Sequence, residues 1–70
     1  MEHVIVKYPD TRKVFIDGNE CGSTNVVLLV ESGTHRFRLD APRDYKPRQR
    51  TRSISETSAA NPLEVTFERR

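Results

Sequence analysis

Apolar side chains recur at every second position in short runs along this chain, and residues that favour turns separate the runs. The cleanest run is residues 34–40, where His35, Phe37 and Leu39 fall on one parity and Arg36, Arg38 and Asp40 on the other. Successive side chains of an extended strand point to opposite sides, so this pattern predicts a strand with one face in a core and one in solvent. Residues 2–8 read the same way, with Val4, Val6 and Tyr8 on one face and Pro9-Asp10 ending the strand at a turn. A strand over residues 13–17 meets Gly18-Asn19, which accepts positive φ and turns the chain into a short arm at residues 20–22. Residues 26–31 are apolar on both parities, which predicts a strand covered on both sides or one that touches another chain. Ser32-Gly33 reverses it. At the far end, Leu63, Val65 and Phe67 alternate with Glu64, Thr66 and Glu68 in a last strand.

Two segments resist a simple pattern. Residues 41–44 form a proline-containing loop, and residues 57–62 are small and polar and form another. Between them, residues 46–56 are extended by composition. Arg48, Arg50 and Arg52 share the parity of Ile54, so a regular strand cannot bury Ile54 and expose all three arginines. A β-bulge or a break near Arg52-Ser53 resolves that conflict. Alanine is scarce, β-branched residues are plentiful, and no window shows helical spacing. Without a crossover helix the strands must pair mainly as antiparallel neighbours, so the expected fold is all-β. It is a small antiparallel sandwich of about six or seven short strands in one domain over residues 1–70.

Length and composition narrow this further. Seventy residues hold a thin core, and the single cysteine, Cys21, rules out an internal disulfide. Hydrophobic packing or self-association must therefore offset chain entropy. Leu, Ile, Val and Phe together make up 17 of the 70 residues, above the level of about one fifth below which chains stay disordered. No apolar run approaches membrane-spanning length, and Met1-Glu2-His3 lacks the basic and apolar pattern of an export signal. The expectation is a protein that acts in the cytoplasm as it stands, or at the envelope if it is a module of a longer protein.

The net charge of +2 conceals an asymmetry. Residues 36–52 hold Arg36, Arg38, Arg43, Lys46, Arg48, Arg50 and Arg52 against only Asp40 and Asp44. Arg36, Arg38, Arg48, Arg50 and Arg52 are candidates for a basic stripe across neighbouring strands, with Tyr45 as a stacking ring for a polyanion or single-stranded nucleic acid. The competing reading is an ordinary solvated face neutralised by acids such as Asp40 and Glu68.

Candidate chemistry is otherwise sparse. One cysteine and two distant histidines, His3 and His35, cannot supply a zinc site. The aspartates Asp10, Asp17, Asp40 and Asp44 are scattered over turns without calcium-loop spacing, and Ser53, Ser55 and Ser58 have no base at a recognisable interval. No catalytic residue, cofactor or metal is expected.

The order of these residues resembles the PEGA domain family. Pro9-Asp10-Thr11-Arg12 stands at the opening Pro-Glu-Gly-Ala, and Val14, Ile16, Asp17 and Gly18 follow in register. Gly22 and Thr24 match the next element, then Gly33, His35, Phe37 and Leu39, and Tyr45 with Pro47 closes a match over residues 7–54. The chain departs from the pattern at Thr11-Arg12 for Gly-Ala, Asn25 for Pro and Asp44 for Gly. The resemblance implies an immunoglobulin-like or prealbumin-like β-sandwich and a non-catalytic binding or scaffold module. Its expected partner is a protein, or a second copy of itself, reached through sheet edges or through residues 26–30. Polyanion binding is the alternative.

Overall fold

In a computed structural model describing residues 1–70, alternating segments form nine strands and no helix. They are β1 (Glu2–Lys7), β2 (Lys13–Ile16), β3 (Asn19–Ser23), β4 (Val27–Val30), β5 (Gly33–Leu39), β6 (Tyr45–Lys46), β7 (Arg50–Ile54), β8 (Leu63–Thr66) and β9 (Glu68–Arg69). The nine exceed the six or seven expected because the short pair β6 and β9 forms a small sheet of its own. The main sheets run β4-β1-β8 and β3-β2-β5-β7 and pack face to face.

The parity read from the sequence decides what lies between the sheets. Val4 and Val6 of β1, Leu28 and Val30 of β4 and Val65 of β8 meet Val14 and Ile16 of β2, Phe37 and Leu39 of β5 and Ile54 of β7 in one buried cluster. Phe37, Val4, Val6, Val14 and Val65 have no solvent exposure. In so thin a core each is hard to replace, and truncating Phe37 to alanine costs about 3–5 kcal/mol. Tyr8, Tyr45 and Phe67 close one end of the sandwich, their rings stacked edge to face at 6.3 and 5.5 Å.

One pairing departs from the antiparallel expectation. β1 and β8 run parallel, with Val4 opposite Leu63 and Lys7 opposite Thr66. A hairpin cannot join parallel strands, and here the long path from β1 to β8 passes through the whole second sheet, which takes the place of a crossover helix.

The turns follow backbone chemistry. β2 and β3 join through Asp17 (φ 53°) and Gly18 (φ 87°), so the two-residue turn sits one residue earlier than the sequence reading placed it. Positive φ at both positions is the type I′ geometry whose twist matches a hairpin. Further along, Val14 pairs with Gly22 and Phe15 with Glu20, so Cys21 is the extra residue of a bulge on β3.

Thr24 and Asn25 then tie the sheets together. Buried Thr24 accepts from the Arg12 N–H at 3.0 Å and donates to the Asp10 carbonyl at 2.8 Å. The Asn25 side chain accepts from the Tyr8 N–H and donates to the Tyr8 carbonyl at 2.8 Å, imitating a strand partner. Asn25 lies at φ 66°, a value closed to the proline that the family pattern has at this position.

Candidate functional site

Two surfaces, one polar cluster and one ion pair carry the chemistry of this molecule. The first surface is β4. It ends its sheet, and its free edge is regular over Val27–Val30. Leu28 and Val30 point into the core, whereas Val27 and Leu29 point outward and are 45% and 57% exposed. Ile5 stands opposite Val27 on β1, and Val26 and Met1 extend the apolar surface at either end. The two-sided apolar run read from the sequence therefore has one covered face and one open face.

The other three edges of the two main sheets are guarded. The β3 edge is broken by the Cys21 bulge, and β7 presents Arg50 and Arg52. At β8 the Arg50 guanidinium crosses between the sheets and donates from Nε to the Thr66 carbonyl at 2.7 Å. Among the edges of the main sheets, only β4 combines an unguarded backbone edge with exposed aliphatic side chains.

Only part of the stripe expected from the sequence comes together: Arg36, Arg38 and Arg48 line adjoining hollows, whereas Arg50 and Arg52 leave that face. In the β5–β7 ladder, Arg50 lies opposite Phe37 and Arg52 opposite His35, so both point to the inner side of the sheet and are half-buried at its margin. Arg36 and Arg38 point to the outer side. The phase conflict at Ile54 is thus settled without a bulge: β7 keeps regular register and its arginines lay their aliphatic stems along the core margin. Arg48 lies before β7, in the segment that follows β6.

Tyr45 is not a stacking platform. Its ring is 5% exposed against Phe67, and its hydroxyl donates to the Leu39 carbonyl at 2.7 Å.

What the outer face does hold is the remaining basic grouping. The Arg38 guanidinium lies over the Phe15 ring at 4.3 Å. Arg36, Arg38 and Gln49 line a hollow with the Asp17-Gly18 turn, and Arg38 and Gln49 continue into a second hollow with Arg43 and Arg48. The sequence counts Arg43 in the basic segment without placing it in the stripe and gives no sign of Gln49, because the segments on either side of β6 have no periodicity to place them.

The cluster is centred on His35. Its Nδ1 is 2.6 Å from Asp17 Oδ2 and its Nε2 is 2.7 Å from the Glu31 carbonyl, so each ring nitrogen faces an acceptor. Only the imidazolium can donate to both. The bond to Asp17, followed by that to Glu31, raises the His35 pKa above its ordinary 6.5. The same bond to His35, with the Arg36 N–H at 3.0 Å, holds the Asp17 carboxyl below its ordinary 3.8. With Nε2 committed to a backbone carbonyl, no ring nitrogen is left to take a proton from a nucleophile. Across the molecule, no three His, Cys, Asp or Glu side chains converge as a metal site.

A second ionic contact lies at the aromatic end. Arg12 donates to Asp44 Oδ2 at 2.7 Å and to the Pro42 carbonyl at 3.2 Å, and the Tyr8 hydroxyl donates to the Asp44 carbonyl. Arg12 depresses the Asp44 pKa and Asp44 raises that of Arg12.

Comparison with known proteins returns one family: the model described as the PEGA domain matches residues 4–68. No match was found among curated proteins or among solved structures.

Proposed function

The chain belongs to the PEGA domain family, and from that premise we propose that it is a non-catalytic binding or scaffold module that joins a protein partner through β4. The observation that carries this reading is the pairing of a free, regular β4 edge with the exposed Val27 and Leu29. A partner strand laid along that edge takes up its unpaired N–H and C=O groups, while its alternate side chains cover the aliphatic face. The guarded state of the other edges directs such pairing to β4. A lone exposed aliphatic residue is ordinary, but an aliphatic face on an unguarded edge is a liability for a solitary domain. The partner is a second polypeptide in extended form, and a second copy of the chain satisfies the same requirement.

The test is Leu29→Lys together with Val27→Thr. Sedimentation of the unmodified chain over a range of concentrations reports self-pairing, and pull-down of partners by the full protein reports pairing with another chain. The double variant should keep its melting temperature and lose the association. An association left intact by it would refute β4 as the docking edge.

A further inference from the structure

The face of the molecule opposite β4 carries chemistry that the docking reading does not use. Arg36 and Arg38 stand on the outer side of β5, and Arg43 and Arg48 flank them in the segments on either side of β6. The hollow between Arg36, Arg38 and Gln49, about 280 Å³, shares Arg38 and Gln49 with its neighbour of about 330 Å³. That neighbour shares Arg43, Tyr45 and Arg48 with a third, which ends at Lys46 and Arg70. The three make one continuous track.

We propose that this track is a binding site for an acidic polysaccharide, a polymer carrying sulfate, uronate or phosphate groups along its length.

Four features support the assignment. None of Arg36, Arg38, Arg43 and Arg48 forms an ion pair, since the three in the molecule belong to Arg12, His35 and Arg69. Nor do their guanidinium groups donate to any protein acceptor: the guanidinium hydrogen bonds are those of Arg12, Arg50 and Arg69. Their donors are therefore free for oxyanions, whose geometry the guanidinium fork matches. Second, the Arg38 guanidinium is held over the Phe15 ring at 4.3 Å, which lowers the entropy lost when it takes a ligand.

Third, the one acid in the first hollow is already engaged, because both Asp17 oxygens are bonded, one to His35 and the other to the Arg36 N–H. Fourth, the face offers no open aromatic ring. Tyr8, Tyr45, Phe37 and Phe67 are buried and Phe15 lies beneath Arg38. Nucleobases bind such folds by stacking on exposed rings, so the missing platform favours a glycan, recognised by charge and by hydroxyl contacts to groups such as Gln49.

The experiment measures binding of the full chain to fluorescein-labelled heparin and to polygalacturonate, with neutral dextran as control. With four arginine contacts, affinity for heparin should fall roughly a hundredfold between about 50 and 200 mM salt. Arg36→Gln with Arg38→Gln, and separately Arg43→Gln with Arg48→Gln, should each weaken binding by about tenfold or more. The second pair lies in loop segments and tests the site even if loss of the Arg38–Phe15 contact disturbs folding. Lys7→Gln with Arg52→Gln removes the same charge from other faces and should change affinity less than about threefold. Equal weakening by that control pair would overturn the site in favour of diffuse charge attraction. So would tighter binding of a thymidine oligonucleotide than of heparin, or binding confined to anionic lipid vesicles.

Discussion

His35 joins the Asp17 turn of the β2–β3 hairpin to Glu31, the residue that leaves β4, through contacts of 2.6 and 2.7 Å from its two ring nitrogens. One side chain thereby fastens the edge strand β4 to the opposite sheet. Because both contacts need a proton on the ring, the fastening depends on pH.

The sign follows from the directions of the shifts. The raised His35 value means that its contribution to stability is complete below about 6.5 and is lost as pH rises through the folded value. The lowered Asp17 value means that its contribution is present above about 3.8 and is lost as pH falls through the folded value. The melting temperature of the unmodified chain should exceed that of His35→Gln most between these limits, and the difference should shrink on the alkaline side. Proton NMR of the His35 ring checks the premise. A midpoint at or below the ordinary histidine value would contradict it.

Gly22 separates two effects of a missing side chain. It sits at φ 136°, and a Cβ there would come within 2.5 Å of Leu28 Cδ2 across the sandwich. Gly18 also has positive φ, at 87°, but opens onto empty space. Gly18→Ala should cost about 1 kcal/mol, from backbone strain alone. Gly22→Ala should cost about 2–4 kcal/mol, because Leu28 must also move in a packed core. Urea denaturation of the two variants reads the difference, and equal costs would show that β3 and β4 do not pack closely there.

Arg12 and Asp44 occupy two of the positions where the chain departs from the PEGA pattern, and they meet each other at 2.7 Å. Two departures at separate turns thus form one ion pair that closes the aromatic end of the sandwich. Restoring the small residues of the pattern tests their coupling. Arg12→Ala or Asp44→Gly alone strands a charge beside Tyr8, so the double variant should melt higher than the sum of the two single losses predicts. Additive losses would mean that the contact is incidental.

The inner face of the fold was legible in the sequence because a strand has period two and a thin core leaves little choice of side. Val4, Val6, Val14, Ile16, Phe37, Leu39, Val65 and Phe67 all follow their parity into the core. The β1–β8 pairing was not legible, because it joins segments from opposite ends of the chain and no local turn announces it. The places of Arg50 and Arg52 were not legible for a related reason. Parity assigns Arg50 and Arg52 to the side of Ile54, but it cannot tell that a strand at a sheet margin lets a long stem share that side and still reach water. Tyr45 reads from the sequence as a stacking ring beside the basic stripe. Its burial depends on Phe67, 22 residues away.

The parallel contact of β1 with β8 also sets how this fold would answer a pulling force. Force applied along these two neighbouring strands in opposite directions strains the ladder from Val4–Leu63 to Lys7–Thr66 in shear, so its bonds resist together and not one after another. A tether built on such units yields in steps, each set by the rate at which that ladder ruptures.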